Sequence, residues 1–153
     1  MSLQVKSNTS ASVQPFRFQE TSSDTKQMNI LTSIFKQALE PLYGSQTEAL
    51  EKIQQGKDRK AFLAYEGEAP VGVLVYKTAP TDEYSKFGVK KSLEVKSLFV
   101  VDAGKNSGRG VGSRLVEQAE KVARTAGAAS IHLTVSAEKP ESLEFFKKKN
   151  FTV

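Results

Sequence analysis

Residues 1–12 are polar, with Ser, Thr, Gln and Asn throughout, and read as a flexible N-terminal tail. Apolar positions then fall at Val13, Phe16 and Phe18, which predicts a short edge strand over 13–19 carrying Pro15 near its start. Ser22-Ser23-Asp24 offers N-cap chemistry. Behind it Met28, Leu31, Ile34, Phe35, Ala38 and Leu39 recur at helical spacing, and Pro41 is expected to close that helix. A second helix is predicted over 45–55, with Leu50 and Ile53 turned inward, before a turn at Gly56-Lys57-Asp58.

The period then changes. KAFLAYE (60–66) and VGVLVYK (71–77) read as two strands joined by Gly67-Glu68-Ala69-Pro70, a hairpin pattern. SLEVKSLFVV (92–101) is a third strand, whose dense apolar end from Leu98 to Val101 predicts burial on both faces. A glycine-rich turn over 104–112 leads into an amphipathic helix over 111–126, with Leu115, Val116, Ala119 and Val122 on one face and Gly127 at its end. A strand over 130–135 follows. Pro140 opens a helix over 140–149, Asn150 takes the left-handed position after it, and Phe151 begins another strand. A hairpin first, then strands alternating with helices, implies an α/β or α+β fold, with one central sheet covered by helices on both faces. Residues 13–153 form a single domain on this reading.

Composition narrows the chemistry. The sequence has 153 residues and no cysteine, which removes disulfides, thiolate metal sites and cysteine nucleophiles. With one histidine and no carboxylate cluster, no metal site is expected. No apolar run is long enough to span a membrane and no signal-peptide pattern opens the chain, so a cytoplasmic protein is expected. The net charge is +5, partly gathered in Lys86, Lys90, Lys91 and Lys96 and in Lys147-Lys148-Lys149. Such groups are either a solvated surface or an attraction for a polyanion, whether a phosphate-bearing cofactor or RNA.

One segment carries a sharper chemical signature. After the third strand comes Ser107-Gly108-Arg109-Gly110-Val111-Gly112-Ser113, then a helix. Glycines let backbone approach a ligand closely, and the first N–H groups of a helix lack intrahelical partners. With the helix dipole behind them they make a cradle suited to a pyrophosphate, reinforced by Lys105 and Arg109. A Walker loop would need Gly-Lys-Ser/Thr, which Gly112-Ser113-Arg114 does not supply. A dinucleotide fold would place the turn early in a βαβ unit, whereas here it follows an antiparallel hairpin.

From Glu94 to Val153 the chain resembles the core of the GNAT acyltransferase family. That family's cofactor motif, Arg/Gln-x-x-Gly-x-Gly/Ala after a Leu-x-Val strand end, is matched by Leu98-Phe99-Val100-Val101 and by Ser107, Gly110 and Gly112. A later motif is matched in spacing by Val135, Lys139, Ser142, Phe145, Phe146, Lys148, Asn150 and Phe151. Pro70-Val71-Gly72 also suits a family strand start. Ser107 departs from Arg/Gln, Lys139 from Asn, and Phe146 from a Tyr that often serves as general acid. The family's last strand pair normally extends beyond Phe151, so either a truncated end or another element completing the sheet is expected here.

The resemblance implies a mixed sheet splayed at the cofactor strand, and acetyl-CoA as co-substrate of an N-acetyltransferase. It implies cofactor contacts at Leu98, Phe99, Val100, Gly108, Arg109, Gly110, Val111, Gly112, Ser113, Lys139 and Phe146. A backbone N–H near Phe99 would polarise the thioester carbonyl. Glu94, just upstream, is the candidate base for a primary amine, though it reads equally as a surface acid paired with a lysine. Tyr43 and Tyr76 are candidate proton donors, each otherwise a packed aromatic. His132 shares a strand face with Thr134 and is expected to be structural. Two other readings stay open: a non-catalytic acyl-CoA-binding module, consistent with Phe146, and a toxin-type transferase acting on aminoacyl-tRNA, consistent with the basic surface. The acceptor is unnamed by the sequence, and a homodimer is compatible with each reading.

Overall fold

A computed structural model describes residues 16–83, 85–88, 91–134 and 140–152. β1 (Phe16–Glu20) leads to α1 (Thr25–Ala38), α2 (Glu40–Tyr43) and α3 (Thr47–Gln55). β2 (Arg59–Glu66) and β3 (Ala69–Lys77) form the hairpin, and β4 (Ser92–Val100) follows a polar connection. α4 (Ala103–Asn106), α5 (Val111–Thr125), β5 (Ser130–Leu133) and α6 (Pro140–Lys148) complete the described chain. The sheet runs β1-β2-β3-β4-β5; the first three pairings are antiparallel and β4–β5 is parallel.

Local chemistry explains most boundaries. The Asp24 carboxylate accepts from the Gln27 N–H at 3.1 Å and caps α1. Gly127 and Asn150 both take positive φ after their helices, and α6 starts at Pro140. The hairpin is tighter than its sequence suggests, since β3 already begins at Ala69.

Several expectations are corrected. Pro41 does not close the first helix; α1 ends at Ala38, and Pro41 sits in the first turn of α2, where its missing N–H costs nothing. The stretch 104–112 is not all turn, because α4 occupies its start. Phe151 and Thr152 form no strand. The Phe151 N–H instead donates to the Phe146 carbonyl, and its ring packs edge-on against Phe146. The expectations for residues 1–12, Val13, Pro15, Lys90, Val135 and Lys139 concern positions outside the described residues.

Each sheet face has its own core. Leu31, Phe35, Ile53, Leu63 and Val73 join α1 and α3 to one face. Leu74, Leu93, Leu115 and Ala119 join α5 to the other. A Cβ on Gly72 would lie 3.0 Å from both Leu115 Cδ1 and Val111 Cγ1, so this glycine sets how closely α5 approaches β3.

A bulge in β4 positions the site. Val75 pairs with Ser97 but Tyr76 pairs with Val95, leaving Lys96 as the extra residue. The insertion reverses the alternation. Leu93 and Val95 face α5, yet so do Leu98 and Val100, while Phe99 packs toward α1 and α3. The strand's apolar end therefore packs against both cores, but Leu98 to Val101 stay only partly buried, because no described strand covers that edge of β4.

Candidate active site

The β4–β5 ladder spans Ser92–Val95 against Ser130–Leu133 and stops. Among the described residues, Lys96–Val100 has no strand partner on that side. This is the splay expected of the cofactor strand. The main-chain groups facing the gap follow from the opposite edge. The Val101 N–H donates to the Val71 carbonyl at 2.9 Å, so alternation turns the Phe99 amide toward β3 as well. The amides that face the gap belong to its neighbours, Leu98 and Val100.

A cavity of 1010 Å³ runs through this gap. At one end it meets Phe35, Leu42 and Tyr43 from α1 and α2 and Leu39 between them; along its length it meets Leu98, Phe99 and Val100; at the other end it meets Ser107, Gly112, Phe145 and Phe146. Gly108 and Gly110 take φ of 75° and 84°, and a Cβ on either would meet nothing within 4 Å. The surface above the turn is therefore open. Gly110, as N-cap of α5, has no side chain to satisfy the amides of Val111, Gly112 and Ser113. This arrangement fits a pyrophosphate at the start of a 15-residue helix.

The third glycine has a different cause. A Cβ on Gly112 would lie 2.9 Å from Phe145 Cζ, so its smallness serves the docking of α6 against α5. Arg109 is also partly committed. Its guanidinium pairs with Glu66 at the end of β2 and reaches Asn106 Oδ1 at 3.4 Å. Asn106, buried, donates in turn to the Val101 carbonyl at 2.6 Å and ties the turn to the end of β4. Sequence reasoning missed Asn106, because a lone Asn in a polar turn carries no periodic signal.

The remaining candidates separate. Glu94 is half-buried, 3.2 Å from Lys96 Nζ and 4.0 Å from His132 Nε2, and is not among the residues lining the cavity. His132 Nδ1 lies 2.6 Å from the hydroxyl of buried Ser92, which gives this histidine a place in the β4–β5 pairing. Tyr43 is exposed at the cavity mouth. Tyr76 is buried on the α5 face, stacked on Phe62, and burial, with the Glu20 carboxylate second, pushes its phenol up. Phe146 is buried between Phe145 and Phe151 and lines the cavity. Among the described residues, no group of three or more metal-ligating side chains gathers, and no helix is long and apolar enough to cross a membrane.

Residues 28–151 match the Acetyltransferase (GNAT) family. The chain belongs to that family. Solved structures agree in fold. An aminoglycoside N-acetyltransferase, AAC(6')-Iy, in complex with a bisubstrate analog of CoA, superposes with a TM-score of 0.75 at 15% identity, covering 91% of this chain and 92% of that one. An aminoglycoside acetyltransferase from an uncultured soil metagenomic sample gives 0.69 at 18% identity over 90% and 89%. A ribosomal-protein-alanine N-acetyltransferase from Brucella melitensis biovar Abortus 2308 gives 0.68 at 11% identity over 91% and 93%. As a GNAT protein this chain belongs to a family of acetyltransferases.

Proposed function

We propose that this GNAT protein transfers an acetyl group from acetyl-CoA to a primary amine by direct attack. The observation that carries the reading is the gap beside Lys96–Val100, where the edge of β4 that no described strand pairs and the start of α5 line one cavity. Leu98 and Val100 would hold the pantetheine arm as a neighbouring strand would. Val111, Gly112 and Ser113 would take the pyrophosphate, with Gly108, Arg109 and Gly110 framing it. The thioester supplies an acyl carbon already activated toward amines. A gap-facing amide beside Phe99 polarises the carbonyl oxygen, a role worth about 3 kcal/mol where single donors have been removed. Glu94 takes the amine's proton, through water given its place outside the cavity lining. Tyr43, at the mouth, is the donor for the departing thiolate.

Phe146 favours a second reading, a module that holds acyl-CoA without turnover, because a phenyl ring has no proton to give. The basic groups give the aminoacyl-tRNA reading little support: of their described members only Lys96 lines this cavity. A thiol-release assay with acetyl-CoA and an amine panel decides between transfer and holding. Release above the hydrolysis background supports transfer. CoA binding by calorimetry without release for any amine makes the module the better reading.

A further inference from the structure

The acceptor end of the cavity has a composition of its own. Its walls are mostly apolar, and Leu42 and Tyr43 are the large hydrophobic side chains left exposed among the described residues. Among the described residues, the charged ones lining the cavity are Arg59, Lys96, Asp102 and Glu141. The two acids belong to the cofactor side, Asp102 after β4 and Glu141 on α6. The two cations lie at the other end, Arg59 at the start of β2 and Lys96 at the bulge of β4.

Arg59 is placed in an unusual way. It pairs directly with Lys77 on β3, and both follow the alternation of the face that carries α1 and α3. Like charges directly opposite on one face repel. The Arg59 side chain is only 18% exposed, and Asp58 Oδ2 lies 3.5 Å from its Nε. That contact is an ion pair without a hydrogen bond, for Nε is buried and has no hydrogen-bond partner among the described residues. A guanidinium so placed retains donors for an anion, and a planar anion such as a carboxylate suits them best. Lys96 adds charge, although Glu94 offsets part of it.

We infer that the amine acceptor has an apolar body and an anionic group, with the body against Leu39, Leu42 and Tyr43 and the anion on Arg59 assisted by Lys96. This deepens the acetyl-transfer reading and rests on it for the identity of the pocket. A polycationic aminosugar is disfavoured by the same two cations, whatever the fold shares with aminoglycoside transferases. Along β3, the partner of Arg59 lies three residues from the partner of Leu98, roughly 10 Å in an extended strand. The anion and the amine are therefore separated by more than an α-carbon, as in an ω-amino acid or a short apolar peptide.

The test is binding first and turnover second. N-acetyl-8-aminooctanoate and N-acetyl-Leu-Phe, each with its neutral carboxamide counterpart, are titrated by calorimetry into the CoA-saturated protein and into Arg59→Gln. Each free acid, or one of the two, should bind about tenfold or more tighter than its amide, as expected for a charge-assisted hydrogen bond. Arg59→Gln should abolish that preference and leave CoA affinity unchanged, which also shows that the variant is folded. Equal binding of acid and amide in both pairs, or a preference that survives in Arg59→Gln, overturns the inference. The deacetylated amines are then run in the thiol-release assay. An acid preference in binding with no thiol release would sink the transfer reading while leaving the anion pocket standing.

Discussion

The ring of Phe145 occupies the space that a side chain on Gly112 would need, with Cζ 2.9 Å from the position of a Cβ. The second glycine of the family's cofactor motif thus answers to a helix contact within the protein. Gly112→Ala should force Phe145 out of place and destabilise the fold by about 1–3 kcal/mol, the usual cost of overpacking. Urea unfolding would show it as a lowered midpoint at unchanged slope. Adding Phe145→Leu should recover part of the loss; no recovery would mean that the ring is not the obstacle.

Gly110 has the opposite character, with φ of 84° and open space around it. Gly110→Asp should leave the fold largely intact, since aspartate tolerates this conformation better than most residues. CoA affinity should fall sharply, because a carboxylate then faces the pyrophosphate at the start of α5. Unchanged affinity by calorimetry would refute the assignment of this turn.

Glu66 holds the Arg109 guanidinium at the end of β2, which leaves that charge partly neutralised. Arg109→Ala should therefore weaken CoA binding only moderately, and mainly at low salt. Glu66→Gln should do the reverse and tighten binding at low salt. If Glu66→Gln weakens binding instead, the pair serves to position the turn.

Glu94 lies 3.2 Å from Lys96 and outside the cavity lining, so its role as base must be tested by rate. Glu94→Gln should lower acetyl transfer at neutral pH by about 10²-fold or more while CoA affinity holds. The deficit should shrink as pH rises, because the free amine is then already neutral. Full activity at neutral pH would reduce Glu94 to the partner of Lys96.

Tyr76 makes a prediction about stability. Burial, with the Glu20 carboxylate second, raises its phenol above 10.0, so the folded state holds this proton more tightly than the unfolded chain. Its contribution is complete below about pH 10 and is lost as pH climbs through the folded value. Tyr76→Phe should remove that part of the alkaline decline. Denaturant titrations on either side of pH 10 should then show the wild type losing stability relative to the variant as pH rises; parallel declines would count against it.

Much of the fold was legible in the chain because it rests on local rules. Periodicity marked α1, α3, α5 and the strands, Asp24 and Gly127 marked helix ends, and the hairpin announced itself by turn residues between two apolar runs. The spacing of Ser107, Gly110 and Gly112 behind Leu98–Val101 was enough to suggest the family and its co-substrate. Pro41 was misread because a proline that ends one helix and one that opens the next look alike in sequence.

What only the tertiary structure decided depends on residues distant in sequence meeting. The bulge at Lys96 is a mismatch of register between β3 and β4, and it alone reverses which side chains face each core. The gap that exposes Leu98 and Val100 exists because the β5 ladder ends at Leu133, a property of two strands separated by two helices. Arg59 lies 37 positions from Lys96 in sequence and reads as one more charge near a turn. Only the folded sheet brings both cations to the lining of one cavity.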